Sequence, residues 1–154
     1  MRILAIDPGP EKSAYVFWDP DLEAVVDKGM ADNALLADSL ESVQSQVAIE
    51  MLACFGMPVG KEVFQTALWI GQFIRACSKA GSEFCSPRLI YRMDIKMHLC
   101  HSPRAKDSNI RQALLDRFGQ QGTKKNQGKL YGISKDIWSA LAVAVYYADT
   151  KQGG

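Results

Sequence analysis

The chain has 154 residues, of which 47% are hydrophobic, and a net charge of +1. A chain of this length can bury a substantial core without disulfides or a structural metal, so we expect a single domain over residues 1–154. Its apolar stretches all fall short of the roughly 20 residues that cross a bilayer. At the N-terminus, Asp7 and Pro8 precede any apolar region of a signal peptide, so we expect a cytoplasmic protein with no membrane partner.

The first third of the chain favours strands. Four apolar runs of strand length occur there: residues 3–7, 14–18, 24–30 and 46–52. The first run ends in Asp7-Pro8-Gly9, a turn sequence that places Asp7 at the end of a buried strand. A turn at Asp19-Pro20-Asp21 separates the second and third runs, which predicts an antiparallel hairpin. A weak helical pattern covers residues 32–44.

The remainder favours helices. A helix is predicted over residues 61–79, with Gly81 as its C-cap and with core residues at helical spacing: Val63, Ala67, Ile70, Ile74 and Cys77. Residues 89–91 predict a short strand, and Ser102-Pro103 predicts the start of a helix that ends at Gly119. Residues 120–132 predict a mobile loop, after which Ser134 caps a last helix that runs through Tyr147. This order of elements is typical of an α/β fold with a mixed sheet.

The cysteines indicate reduced thiols, because no Cys-x-x-Cys pair is present. They are widely spaced at Cys54, Cys77, Cys85 and Cys100.

Charge is distributed unevenly along the chain. Between Arg88 and Lys129 there are ten basic and three acidic residues, so this segment carries +7 and the remainder −6. Such an asymmetry is expected of a protein that binds polyphosphate while it gathers carboxylates elsewhere. A solvated basic face explains the segment equally well.

Three acidic residues, Asp7, Glu50 and Asp136, occupy positions that folding stability does not require. Glu50 interrupts an apolar strand, where a buried charge is costly unless it is paired or binds a cation. The alternative is a glutamate on an edge strand that faces solvent. Asp7 is also explained by its turn, and Asp136 by the first turn of a helix. The three together predict a metal site.

The same segments resemble the carboxylate motifs of RuvC-type Holliday-junction resolvases. The matching motifs are residues 3–9, the strand containing Ile49 and Glu50, and residues 136–144. The similarity extends to residues 68–72, to Lys96 and to residues 102–106, and so spans nearly the whole chain. It favours a compact family member of the kind found in phages and prophages.

The resemblance implies a ribonuclease-H-like α/β fold with a mixed five-stranded sheet flanked by helices. It implies a homodimer that resolves four-way DNA junctions by paired phosphodiester hydrolysis with Mg²⁺ or Mn²⁺. Because two divalent ions suit this chemistry, we expect two per site and no organic cofactor. Asp7 would bridge the ions, while Glu50 and Asp136 would each hold one. Lys96 and Lys106 are predicted to contact the scissile phosphate. The alternative, that both are merely solvated surface lysines, has equal weight.

Further DNA contacts are predicted from the basic segment and from the loop after Glu50: Arg104, Lys106, Arg111, Lys124, Lys125 and Phe55. Phe55, or Met57, would act as a wedge in the centre of the junction, although core packing explains both equally well. The long helix has surplus apolar residues at Phe64, Leu68, Trp69 and Phe73. We expect Leu68, Trp69 and Phe73 to form a dimer interface, with burial of the helix in a monomer as the alternative.

The chain departs from the family pattern at Ser139, where a second acidic residue is common one helical turn after Asp136. A serine hydroxyl is a poor ligand for a hard cation, so either Asp136 supplies the last ligand alone or another acid, such as Asp107, contributes. Two other functions stay open. One is a ribonuclease H or an exonuclease that needs no dimer, and the other is a non-catalytic junction-binding protein.

Overall fold

A five-stranded mixed sheet forms the centre of the computed structural model, which describes residues 1–81 and 86–152. The strands are β1 (Ile3–Asp7), β2 (Lys12–Asp19), β3 (Ala24–Asp32), β4 (Gln46–Met51) and β5 (Arg88–Tyr91). The helices are α1 (Asn33–Leu40), α2 (Lys61–Lys79), α3 (Arg92–Cys100), α4 (Asp107–Phe118) and α5 (Ile137–Gln152). The strand order is β3-β2-β1-β4-β5, with antiparallel pairing among the first three and parallel pairing of β4 with β1 and β5. This is the mixed five-stranded sheet that the sequence predicts.

The alternation of side chains along β1 divides the core into two layers. Ile3 and Ala5 pack with residues of α3, α4 and α5 on one face of the sheet. Leu4 and Ile6 pack with residues of α1 and α2 on the other face. The sheet is therefore covered by helices on both sides, which is why β1 contains four consecutive apolar residues.

Helices α3 and α4 differ from the sequence-based prediction. Helix α3 was not predicted, because Ile95 is its only buried residue and it lacks an apolar stripe. Helix α4 begins at Asp107 and not at Ser102-Pro103. The Ser102 hydroxyl accepts the N–H of Arg104 (3.2 Å) and closes a turn instead, while the N–H of Lys106 donates to Asn109 Oδ1 (2.8 Å) at the true helix start.

The last helix also begins later than predicted. Ser134 accepts the N–H of Ile137 through its carbonyl (3.0 Å), so it belongs to a turn, and α5 runs from Ile137 to Gln152. The preceding loop over residues 120–132 contains no helix or named strand, as predicted. It is organised by a bridge between Gly122 and Gln127 and by Gln121, whose side chain donates to two backbone carbonyls.

The bounds of α2 are as predicted, but its buried face is not. Phe73 is fully buried, whereas Ile74 is 37% exposed and Leu68 is 72% exposed. Phe73 therefore belongs to the core, and the prediction that it lies in a dimer interface is wrong. The sequence could not decide between core and interface for Phe73, because apolar residues occur on more than one side of this helix.

Cys54 and Cys100 are free thiols, and Cys77 is buried in the core. Cys85 lies outside the described residues. Among the helices described here, none is both long and apolar enough to cross a bilayer.

Replacing Phe73 with alanine tests the corrected core. Because the ring is fully buried, Phe73→Ala should lower the free energy of unfolding by about 3–5 kcal/mol in urea melts. The matched control is Leu22→Ala at a residue that is 67% exposed, where the change should stay within about 0.5 kcal/mol. Equal effects of the two substitutions would contradict this assignment of the core.

Candidate active site

Asp7 and Glu50 lie side by side at the ends of two neighbouring parallel strands. The register of β1 and β4 pairs Ala5 with Ala48, and each acidic residue lies two positions further along its strand. Because side chains alternate, Asp7 shares the face of Ala5 and Glu50 shares the face of Ala48. Both alanines belong to the core layer that contains α5. The two carboxylates therefore meet on the α5 side of the sheet.

The turn after Asp7 is fixed by a buried hydrogen-bond network that the sequence did not reveal. The Ser13 hydroxyl donates to Asn33 Oδ1 (2.6 Å) and accepts the N–H of Gly9 (3.2 Å). The Asn33 side-chain amide donates to the carbonyl of Gly9 (2.8 Å). A Cβ at Gly9 would clash with the carbonyl of Lys12, so this position requires glycine. Asp7 is thus followed by a rigid turn.

Asp136 directly precedes α5, at the margin of the carboxylate pair. Its carbonyl accepts the N–H groups of Ser139 (3.0 Å) and Ala140 (3.2 Å), which begins the helix. Its negative charge raises the pKa of Asp7, so Asp136 belongs to the same electrostatic cluster although its side chain is exposed. A cleft of about 340 Å³ opens here, lined among others by Arg92, Asp107, Arg111, Asp136 and Ser139.

Arg92 is the cation in contact with the carboxylates, and sequence analysis missed it. Its Nε lies 3.2 Å from Glu50 Oε1, and its Nη2 lies 3.3 Å from Asp107 Oδ1. The same Nη2 donates to the Ser139 hydroxyl (3.0 Å). In the sequence Arg92 was only one of ten basic residues in a segment. The signal that could have singled it out is its position directly after β5, the strand beside Glu50.

The surroundings of Asp7 and Glu50 disfavour the charged forms of both carboxyl groups. Burial raises the pKa of Asp7 to about 8, with a further increase from Glu50 and an opposing effect of Arg92. Burial also raises the pKa of Glu50, again against the effect of Arg92. Among the described residues, Glu50 Oε2 is buried without a hydrogen-bond partner. A buried carboxylate oxygen without a donor is costly, so the site calls for another positive group.

These ligand atoms fit a divalent cation. Carboxylate oxygens are the ligands that Mg²⁺ prefers. Glu50 Oε2 has no hydrogen-bond partner within the described part of the chain and is available to such an ion. Within the described parts of the chain, no three His, Cys, Asp or Glu side chains are gathered closely enough to hold one ion together. The structure thus brings together two of the three predicted ligands, Asp7 and Glu50, and places Asp136 at their margin.

The predicted DNA-binding residues lie on the outer surface. Lys96 is half-buried on α3, whereas the other predicted basic contacts are exposed: Arg104, Lys106, Arg111, Lys124 and Lys125. Arg111 stacks over Trp138, with its guanidinium carbon 4.9 Å from the ring centroid. Phe55 and Met57 are 76% and 72% exposed, so core packing of these two residues is excluded.

A mixed sheet in the order β3-β2-β1-β4-β5, flanked by helices on both faces, defines the ribonuclease-H-like fold. Two solved structures share it over nearly the full chain. RuvC from Thermus thermophilus matches with a TM-score of 0.70 and 14% identity, covering 99% of this chain and 97% of its own. T. thermophilus RuvC in complex with a Holliday junction substrate matches with a TM-score of 0.71 and 14% identity, covering 99% and 96%. No protein-family model and no curated protein matches the sequence.

The raised pKa of Asp7 predicts a pH dependence of stability in the absence of metal. The folded state holds a proton on Asp7 up to about pH 8, whereas the unfolded state releases it near the ordinary value of 3.8. Stability therefore falls as pH rises between these values. Asp7→Asn removes this loss, so its melting temperature should exceed that of wild type at pH 8.5 by several degrees and by much less at pH 4.5.

Asp38→Asn, at an exposed position on α1, is the matched control and should follow wild type at both values. An Asp7→Asn protein whose melting temperature differs from wild type by the same amount at both pH values would refute the burial of this carboxylate.

Proposed function

We propose that this protein is a metal-dependent endonuclease that resolves four-way DNA junctions by paired phosphodiester hydrolysis. The observation that carries the proposal is the pair of partly buried carboxylates, Asp7 and Glu50, at the adjoining ends of β1 and β4. The proposal draws further support from the fold, which a RuvC structure with a Holliday junction substrate shares. Fold alone does not determine function, so the site has to carry the chemistry.

Asp7 and Glu50 would hold Mg²⁺ or Mn²⁺, with Asp136 contributing from the start of α5. When bound, such an ion lowers the pKa of a coordinated water and neutralises charge on the phosphate. Burial of Asp7 and Glu50 holds their oxygens in fixed positions, and the rigid turn after Asp7 supports this. We assign Lys96 and Lys106 to contacts with the scissile phosphate.

The DNA surface that we propose includes Arg111, which lines the cleft, and four other exposed basic residues: Arg104, Lys106, Lys124 and Lys125. Lys124 and Lys125 project from a turn closed by two backbone hydrogen bonds between Thr123 and Asn126 (3.0 and 3.1 Å). The ammonium groups on this turn can bind phosphates of the DNA backbone, a contact that depends on charge and not on base sequence. Phe55 would insert into the centre of the junction, since an aromatic ring in an exposed loop can stack on bases.

A homodimer would match the two-fold symmetry of a four-way junction and supply one site for each cut strand. Helix α2 offers an exposed apolar stripe for this contact at Phe64, Leu68 and Ile74, which are 61%, 72% and 37% exposed. Trp69 is half-buried beside the stripe. This stripe replaces the predicted interface that included Phe73. We propose a cytoplasmic location, with no membrane partner and no organic cofactor.

Cleavage assays test the proposed activity. Wild-type protein with Mg²⁺ should nick a synthetic four-way junction symmetrically and leave linear duplex intact. Asp7→Asn and Glu50→Gln should lose cleavage by several orders of magnitude because activation of water and stabilisation of the leaving oxygen fail together. Junction binding should persist in both, since fewer carboxylates repel the phosphates.

Asp38→Asn serves as the matched control and should cut normally. A folded Glu50→Gln protein that cuts at the wild-type rate would refute the proposed site. Binding of the junction by wild type without any metal-dependent cut would favour the non-catalytic alternative.

The oligomeric state tests the α2 interface. Leu68→Glu places a charge in the exposed stripe, where burial of an unpaired carboxylate is costly, and should convert a dimer into a monomer in sedimentation velocity. Leu22→Glu changes an equally exposed leucine outside α2 and should leave the dimer intact. A wild-type monomer at micromolar concentration that makes paired cuts would contradict the dimer and favour a nuclease that acts as a monomer.

A further inference from the structure

Arg92 joins three elements at the carboxylate site. Its guanidinium contacts Glu50 on β4, Asp107 at the start of α4 and Ser139 on α5, at distances of 3.2, 3.3 and 3.0 Å. The Arg92 side chain is only 28% exposed, so it is held in the site and does not extend into solvent. The planar guanidinium suits this role, because its donors point in several fixed directions.

The positive charge of Arg92 lies beside two carboxylates, those of Glu50 and Asp107, that could otherwise be ligands of a second ion. Glu50 Oε1 and Asp107 Oδ1 both lie within 3.3 Å of guanidinium nitrogens. The guanidinium contacts both carboxylates through different nitrogens and so offsets the repulsion between them, although the Asp107 side chain is 80% exposed. Arg92 supplies that cation from the chain itself.

Ser139 fits a guanidinium better than it fits a metal. Its hydroxyl accepts a hydrogen bond from Arg92, which a neutral oxygen does readily, whereas Mg²⁺ favours carboxylates. A carboxylate at position 139 would add a ligand for a second ion. Serine at this position suits the guanidinium of Arg92, which requires only a hydrogen-bond acceptor there.

Glu50 has one oxygen left for an ion. Oε1 is paired with Arg92, while Oε2 is buried and lacks a hydrogen-bond partner among the described residues. Oε2 lies on the side chain that neighbours Asp7 across the β1–β4 pair. Asp7 and Glu50 Oε2 are therefore the groups that remain as ligands for a single ion, since Glu50 Oε1 is paired with Arg92.

We propose that Arg92 takes the place of one of the two divalent ions expected for this chemistry, so that each chain binds a single divalent ion. This inference rests on the proposed metal-dependent function. The guanidinium supplies the second positive charge and holds Glu50 Oε1, Asp107 and Ser139 in position.

Counting bound Mn²⁺ on the full chain without DNA tests the inference. Calorimetric titration, with electron paramagnetic resonance of free Mn²⁺ as a second count, should give one ion per wild-type chain. Arg92→Gln removes the charge and frees Glu50 Oε1 and Asp107, so it should bind two. Arg92→Lys keeps the charge and should bind one. Arg88→Gln, a change of the same type on β5 outside the site, should also bind one.

Two ions on wild type, or none, would overturn the inference, as would a single ion on a folded Arg92→Gln protein. If Arg92→Gln does not fold, the wild-type and Arg92→Lys counts still decide, since two ions on either would overturn it. Junction cleavage is measured separately. Expected ion counts without any cleavage would refute the nuclease proposal alone, and cleavage with two ions on wild type would refute this inference alone.

Discussion

The burial of two carboxylates at the adjoining ends of β1 and β4 is the constraint on which the rest of the site depends. An ionised carboxylate that is withdrawn from water requires a cation or several donors. The parallel register of these strands sets Asp7 beside Glu50. Burial is the main reason why the pKa of Asp7 reaches about 8, and the negative charge of Glu50 raises it further.

The surroundings of the pair follow from the cost of this burial. Arg92 offsets part of the negative charge, and the Ser13–Asn33 network keeps the backbone after Asp7 from relaxing toward solvent. Glu50 Oε2 lacks a hydrogen-bond partner among the described residues. Folding stability alone would favour a donor beside this oxygen. Proteins retain such costly arrangements mainly where chemistry requires them. The cleft beside Asp136 is lined by Arg92, the residue that contacts Glu50.

Much of the fold could be predicted from the sequence because local patterns and tertiary structure agree there. The apolar run before Asp7 and the interruption of an apolar strand by Glu50 are visible without a structure, and both residues lie where the patterns place them. Phe73 was misassigned because helical spacing does not tell which apolar residues face the sheet.

Arg92 could not be recognised in the same way. Its role arises from contacts with Glu50 on one side and Ser139 on the other, and these residues are distant in sequence. Helix α3, which positions Arg92, has no apolar stripe and was missed for that reason. The sequence shows Ser139 as a departure from the family pattern, but it does not show that Ser139 accepts a hydrogen bond from Arg92.

If Asp7 and Glu50 bind a divalent ion as proposed, anomalous diffraction from crystals grown with Mn²⁺ will locate that ion without reference to activity. We expect an anomalous peak in direct contact with a carboxylate oxygen of Asp7 and with Glu50 Oε2. A fully occupied Mn²⁺ bound elsewhere, with Glu50 Oε2 still without a ligand, would exclude this metal site.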